Sequence, residues 1–529
     1  MTEHMKELPD IRDVQVLNGN IIDIPTVTKK LAHDTALYVP AKILPALIGI
    51  VSVALFTRLF DPGAYGKYVM VSTTTNILIA IFSQWMFQSV LRFRSQYVHQ
   101  NRNVAFNRNL YETLGLLTIF TIVIAGAGLL VKPMLGGYER FYYLSIFIVI
   151  TGIWSNNLMA VLQADLKSLS LTVYTIIGAA MKVLVPALLI FLVARDIVFL
   201  VWGVLASFAF TLLPMVISVN RGPTELAAPA SPGSSLADFL REFGAYGFPM
   251  IGWFLGAELL SISDRYFLQI FRGSNEVGIY SSNYNLVATA IAFVSMPLLT
   301  AAHPILMKAG NTVSGRKESI QSIITLFSRY FLILTVPIMV FISFLYKELT
   351  FIMLGDKFRE GAIVMPIVLI GLTAWNFAMF GHKGLEFRNK TKIMFLYVLL
   401  CAAIKIALGI IFIPRYGYLA AAVTSLISFL AYPLLVYFGT RRDIRWRIPW
   451  LSVLRILTAS VAPIILFMIV RITRIGIVPT ILIDTILMAP LYALGLYLLK
   501  EFTTPELSFI AGMFHRIRPP AKGGDLRSG

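Results

Sequence analysis

Apolar stretches long enough to cross a bilayer alternate along this chain with short polar connections. With about 20 residues needed per span, membrane helices are predicted at 38–60, 68–91, 111–131, 141–163, 169–193 and 196–219. A Pro-, Ala-, Ser- and Gly-rich break, "NRGPTELAAPASPGSSLADFL", follows. Beyond it come spans at 243–270, 277–303, 321–345, 361–386, 392–413, 417–440, 451–471 and 475–498. The pattern predicts an all-α, polytopic membrane protein of about 14 transmembrane helices. The pairs divided only by "VARDIVF" and "IPRYGYL" must turn within a few residues. The expected organisation is a cytoplasmic leader (1–37), an N-lobe of helices 1 to 6 (38–219) and a cytoplasmic linker (220–242). A C-lobe of helices 7 to 12 (243–440), helices 13 and 14 (451–498) and a cytoplasmic tail (499–529) complete it.

Composition agrees with this pattern. Hydrophobic residues make up 57% of the 529, charged ones 14%, and the mean hydropathy is +0.77, which is far from soluble usage. The leader carries Asp10, Asp13, Asp23 and Asp34 ahead of the first apolar run, so it is not expected to be a cleaved signal. The formal net charge of +18 raises the question of a nucleic-acid partner. Placing the N-terminus in the cytoplasm puts the larger share of Lys and Arg on that side, including Arg92, Arg94, Arg102 and Arg108, and Arg441, Arg442, Arg445 and Arg447. That bias is the one cytoplasmic loops carry. The expectation is a multi-pass inner (cytoplasmic) membrane protein with both termini cytoplasmic. Its cations would face anionic phospholipid at about 1 kcal/mol each, and no nucleic acid is needed to explain them.

The chain also repeats itself. "LFTRLFDPGAYGKYVMVSTTTN" is echoed by "YFLQIFRGSNEVGIYSSNYN", pairing Phe60 with Phe271, Gly66 with Gly278 and Tyr68 with Tyr280. "AAMKVLVPALLIFL" and "AAIKIALGIIFI" each set one lysine, Lys182 and Lys405, inside an apolar run. A repeat unit of six spans returns to the membrane in the same direction, so the two lobes are expected to be related by an axis along the membrane normal. Helices 13 and 14 lie outside the repeat.

Through "LPALIGIVSVALFTRLFDPGAYGKYV", "QWMFQSVLRFRSQY", "DRYFLQIFRGSNEVGIYSSNYNLV" and "IPRYGYLAAAV", the chain resembles the polysaccharide-biosynthesis membrane proteins. These are flippases for lipid-linked oligosaccharides of O-antigen and exopolysaccharide pathways. Their wider superfamily includes multidrug and toxin extrusion antiporters and lipid II flippases. The resemblance spans roughly residues 40–440 and implies two six-helix bundles around a central cavity. It implies turnover of a polyprenyl-pyrophosphate-linked glycan from the cytoplasmic to the outer leaflet. A glycan polymerase and chain-length or export machinery would be its neighbours.

A lysine at mid-helix costs roughly 2.5 to 3.5 kcal/mol unless it meets water or a counter-charge. Lys182 and Lys405 are therefore candidate cavity cations for a pyrophosphate, with internal packing or pairing as the competing reading. Arg92 and Arg94 at the end of the second span could meet an incoming headgroup or simply follow the charge bias. Arg58, with Asp61 three residues on, is a further candidate or an interfacial anchor. Glu258, Asp264 and Arg265 fall within the seventh span. Asp264 and Arg265 point about 100° apart on a helix, whereas Glu258 and Arg265 share a face. Arg329, two turns into the ninth span, completes the candidate set. Pro45, Pro186, Pro249, Pro337 and Pro366 are candidate bends, because each frees a backbone carbonyl inside its span.

Soluble-enzyme chemistry is thin. Cys401 is the sole cysteine, and His4, His33, His99, His303, His382 and His515 have no ligand spacing, so no metal site and no cofactor is expected. No Gly-rich phosphate loop ending in Lys and Ser or Thr occurs, and transport would draw on an ion gradient, the membrane potential or removal of product. Two alternatives stand beside the flippase. A cation-coupled drug exporter should favour carboxylates in its cavity. A membrane-embedded glycan polymerase or ligase should carry a long extracytoplasmic loop.

Overall fold

The computed structural model describes residues 16–17, 20–21, 43–130, 132–134, 136–220, 235–312, 317–388, 390–441, 444–472, 476–504 and 506–508. Most of the expected leader, much of the 220–242 linker and most of the 499–529 tail lie outside the described residues. Within the leader a two-stranded antiparallel pair, β1 (Val16–Leu17) and β2 (Asn20–Ile21), joins Val16 to Ile21 and Leu17 to Asn20.

The protein is an all-α, multi-pass membrane protein with two packed helical lobes. The first holds α1 (Ile43–Leu59), α2 (Pro62–His99), α3 (Asn103–Gly128), α4 (Tyr142–Ala164), α5 (Ser168–Leu192) and α6 (Val198–Asn220). Helix α2 starts at Pro62, ahead of the 68 expected from hydropathy. The Asp61 carboxylate accepts from the Ala64 N–H at 2.9 Å, and proline at the first helical position has no N–H to leave unsatisfied. In this lobe α2 packs on α4, α4 on α6, and α6 on α5.

The second lobe is built from α7 (Leu236–Phe271), α8 (Ser274–Thr312), α9 (Lys317–Met353), α10 (Val364–Gly381), the short α11 (Lys383–Phe387) and α12 (Thr391–Gly439). Helix α7 begins at Leu236 rather than at 243, because Ser235 caps it by accepting from the Asp238 N–H at 3.2 Å. Helices α7 and α10 both lie along α12, and α10 also meets α8. At 49 residues, α12 is roughly 70 Å of helix, more than twice the hydrocarbon thickness. It breaks at Gly417, whose φ of 56° and ψ of −137° suit a residue without a side chain. Pro414 withdraws one backbone donor just before the break.

A separate unit comprises Leu332–Leu345 of α9 together with the chain from Ile448 onward. It contains α13 (Trp450–Ala459), α14 (Val461–Ile472) and α15 (Ile477–Leu498). The single span expected at 451–471 is divided at Ser460, and Pro463 in the first turn of α14 cannot donate to the Ala459 carbonyl. Val336, Ile456, Ala459, Tyr492 and Leu496 form its core, and the Tyr492 hydroxyl donates to the Ile333 carbonyl at 3.1 Å.

Eleven of the described helices are long and apolar enough to cross a membrane, or up to twelve if the bent pair Leu236–Pro249 and Ile251–Phe271 is one span. Apolar surface gains little by leaving lipid for protein, so small residues that admit close backbone contact carry much of the packing between such helices. Where α2 crosses α8, a Cβ on Gly66 would strike the Ser274 carbonyl, and one on Gly278 would strike the Pro62 carbonyl. Each glycine thus meets the carbonyl one turn before its counterpart. The two helix backbones come into close contact there.

Candidate functional site

A cavity of about 570 Å³ opens inside the first lobe and reaches the second. Helix α1 supplies Pro45, Gly49 and Ser52, and α2 supplies Tyr68, Ser72 and Asn76. Lys182 of α5 projects into it, exposed, with Nζ 5.8 Å from the Phe208 ring centre. No ion pair to Lys182 occurs among the described residues. Pro186 cannot donate to the Lys182 carbonyl, and Gly203 of α6 fits against both, where a Cβ would lie 3.1 Å from that carbonyl oxygen. The proline four residues past Lys182 is therefore packed by a glycine.

Across the cavity stands Arg265 of α7. Its Nε donates to Ser281 Oγ at 3.3 Å and its Nη2 to Asn285 Oδ1 at 3.1 Å, with the Tyr284 ring centre 5.3 Å away. These α8 side chains hold the guanidinium plane toward the cavity and leave further donors free. Glu258, two turns earlier and half-buried, acts on Arg265 electrostatically but does not line the cavity. The described lining thus holds one cation from each lobe and no carboxylate.

Lys405 does not share that cavity. It is fully buried inside the second lobe, 2.6 Å from Asp264 Oδ2, and donates to the Leu260 carbonyl at 2.5 Å. The same carboxylate oxygen accepts from Tyr280 at 2.7 Å and Ser425 at 2.6 Å, while Oδ1 has no hydrogen-bond partner. Asp264 and Arg265 accordingly diverge as their adjacency requires. One looks into the lobe and the other into the cavity. The expectation of two lysines facing one space is corrected: Asp264 is near enough to capture Lys405, and no acid stands beside Lys182 among the described residues.

The remaining candidates separate by end. Arg94 is 4% exposed, paired with Asp165 through Nε at 2.9 Å and Nη2 at 3.2 Å, and it donates to Asn107 at 3.2 Å. With the Phe106 ring 4.7 Å from its guanidinium carbon, it fastens α2 to α3 and the α4–α5 turn. Arg92 is exposed and lies 4.5 Å over the Tyr246 ring of α7. Arg58 donates to the Ile352 carbonyl, while the neighbouring Thr57 accepts from the Gly355 N–H at 3.1 Å. Arg329, 9% exposed, lies 5.6 Å from the Tyr330 ring centre and is not part of the cavity lining.

Asp165, Tyr280, Asn285 and Ser425 are not among the candidates from the sequence, and each fixes the position of a charged residue that is. Asn285 and Tyr280 sit inside the repeated "GIYSSNYN", where an unusual density of polar groups in a span is the available signal. Asp165 and Ser425 offer none, because their partners are distant in sequence.

Residues 31–309 match the family described as "Polysaccharide biosynthesis protein". No curated protein matches the chain. Among solved structures, a lipid II flippase, MurJ, in an inward closed conformation is similar at 14% identity, covering 90% of this chain and 98% of that one, with a TM-score of 0.65. An inward-facing multidrug resistance MATE family transporter of the MOP superfamily is similar at 12% identity, over 77% of this chain and 94% of the other, with a TM-score of 0.60. The Vibrio cholerae MATE transporter VcmN in its bent form gives 14% identity, 79% and 97% coverage and a TM-score of 0.53. At such identities the likeness is one of fold.

Proposed function

We infer, from a chain that belongs to the polysaccharide-biosynthesis protein family, that it turns over a polyprenyl-pyrophosphate-linked oligosaccharide from the cytoplasmic to the outer leaflet, for assembly of a surface polysaccharide. The observation that carries this reading is the cavity that Lys182 and Arg265 enter from opposite lobes with no carboxylate in the described lining. A pyrophosphate crossing the hydrocarbon layer needs compensating positive charge, and the hydroxyl and amide groups of Ser52, Ser72, Asn76 and Asn285 suit a neutral glycan. A lysine supplies a mobile point charge and an arginine a planar fork, so the pair can follow a headgroup that changes orientation. The same lining is a poor match for a cationic drug.

Fourteen crossings follow when α1 is counted, α12 is divided at Gly417, and α13 with α14 is taken as one span. With the N-terminus cytoplasmic, the Gly66 and Gly278 contact lies at the outer face and Arg92 at the inner one. The reciprocal glycine contact supports a parallel repeat of the two lobes. Reporter fusions after Tyr65 and Gly355 should read outside and one after Arg102 inside, and two disagreements of opposite sign would overturn this topology.

The functional test compares cells with and without the protein. Loss should trap lipid-linked glycan in the cytoplasmic leaflet, scored by extraction of the lipid fraction and by inaccessibility to an external glycosidase. Unchanged glycan distribution together with raised sensitivity to cationic dyes would replace the flippase with a drug exporter.

A further inference from the structure

A second cavity, of about 410 Å³, lies in the first lobe between α2, α3 and α4. Its origin is the uneven packing of α3. Phe106, Leu110 and Leu114 are fully buried near one end of that helix, whereas Ile119, Phe120, Ile122 and Val123 are exposed toward the other. Over that second half the helix stays tied to α4, where Tyr142 donates to the Ala125 carbonyl and Trp154 to Thr118, but leaves a groove toward α2. Met70, Thr74 and Leu78, spaced by one turn, form the α2 wall, and Thr121 and Ile124 face them from α3. Phe82 and Phe120 meet edge to face at 5.6 Å where the groove ends.

The polar atoms in these walls are already satisfied by protein. Thr75 donates to the Val71 carbonyl at 3.0 Å, Thr121 to Leu117 at 2.7 Å and Ser145 to Phe141 at 2.9 Å, and Thr74 bonds the Tyr266 hydroxyl at 2.9 Å. The groove presents methyl and methylene groups, and a water inside it would lack the partners it needs. Its other end is polar and cationic. The Tyr138 hydroxyl donates to Gln269 Oε1 at 2.9 Å. Lys67 lies one turn beyond Met70 and Val71 on the same face of α2, and Lys132 Nζ lies 4.3 Å from the Tyr143 ring centre and 6.0 Å from that of Tyr142, a lining residue. Arg140 is engaged by Asp196 at 3.1 Å, which leaves Glu139 as the carboxylate acting with the two lysines. The balance at the mouth is positive.

We propose that this groove is a binding site for one hydrocarbon chain of an anionic, phosphate-headed lipid, the chain lying between α2 and α3 and the phosphate between Lys67 and Lys132. The groove lies apart from the Lys182 cavity, and the assignment rests only on the chain being embedded in a membrane. An occupant of the groove would abut Gln269 of α7 and so sit against the place where the two lobes meet.

A photoreactive benzoylphenylalanine at Ile124, which lines the groove, is compared with one at Ile122, which does not. The full-length protein is placed in vesicles of phosphatidylethanolamine and phosphatidylglycerol, and the lipid adducts are weighed by mass spectrometry. Adducts at Ile124 should be enriched in phosphatidylglycerol by roughly fivefold over the bilayer composition, the effect expected of one interfacial cation, while those at Ile122 match the bilayer. Lys67→Gln with Lys132→Gln should abolish the enrichment. Adding polyprenyl phosphate at equal mole fraction identifies the source: its preferential capture assigns the groove to the carrier lipid, and continued capture of phosphatidylglycerol assigns it to the surrounding bilayer. Adducts at Ile124 that mirror the bilayer, or an enrichment that survives loss of both lysines, would overturn the proposal. Should the photoreactive variants fail to insert, native mass spectrometry of the wild-type protein decides. A retained anionic lipid that the double lysine variant loses supports the site, and its absence from the wild type refutes it.

Discussion

Lys182 and Lys405 occupy the same short sequence setting in the two lobes and have opposite surroundings. The first faces an aqueous-sized space beside an aromatic ring, and the second is sealed against Asp264, Tyr280 and the Leu260 carbonyl. In the second lobe the intramembrane cation is a packing element, and in the first it is accessible. The glycines behave the other way. Gly66 and Gly278 meet reciprocal carbonyls across the lobe boundary, so the same short motif is used on both sides where backbones touch. A backbone contact leaves no freedom to diverge, whereas a side chain can be reassigned by one new neighbour.

The largest expected effect comes from breaking the buried pair. Lys405→Met leaves Asp264 with an uncompensated charge and should destabilise the protein by about 3 to 5 kcal/mol, read as lost membrane abundance and a lower Tm in detergent. Adding Asp264→Leu should restore most of that stability, since replacing both partners by apolar groups is often neutral. A Lys405→Met protein of normal stability and impaired glycan export would instead return Lys405 to a transport role.

Next in size is the glycine contact. Gly66→Ala and Gly278→Ala each drive a methyl group into a carbonyl that belongs to another helix backbone, and overpacking of this kind costs about 1 to 3 kcal/mol. The expected outcome is a shift away from the contact of α2 with α8, seen as a longer distance between spin labels on the two helix starts. Equal shifts in the two variants would sharpen the correspondence of the lobes, and a shift in only one would break it.

Lys182→Met should leave abundance unchanged and lower glycan export by roughly tenfold, the low end of what a hydrogen bond to a charged group is worth. Lys182→Arg should retain more activity because the charge survives, although its fork differs in shape. Wild-type export in the Met variant would remove the lysine from the mechanism. Smallest is Arg92→Gln. Its exposed stacking on Tyr246 is worth about 0.5 to 1 kcal/mol, so Tm should barely move, while Arg94→Gln beside it should be destabilising through the stranded Asp165.

Much of this protein could be read from the order of its residues. Hydrophobic runs place the spans because a bilayer leaves a backbone no alternative to helix. The break of α12 at Gly417 falls between the spans expected at 392–413 and 417–440, whereas the Asp61 cap that starts α2 ahead of the expected 68 is a local signal that hydropathy passes over. The repeated glycines and tyrosines predict two lobes, and two packed helical lobes are present. Which charges reach the cavity was decided only by tertiary structure. Lys182 and Lys405 look alike along the chain, and so do Arg92 and Arg94. Their fates depend on Asp264 and Asp165, brought near by helix packing across long stretches of sequence. The groove beside α3 belongs to the same class, since its walls come from α2, α3 and α4 together. Local sequence sets what each residue can do in lipid, and the partner that satisfies it is chosen by the fold, because the cost of a buried charge is set by whatever stands within a few ångströms.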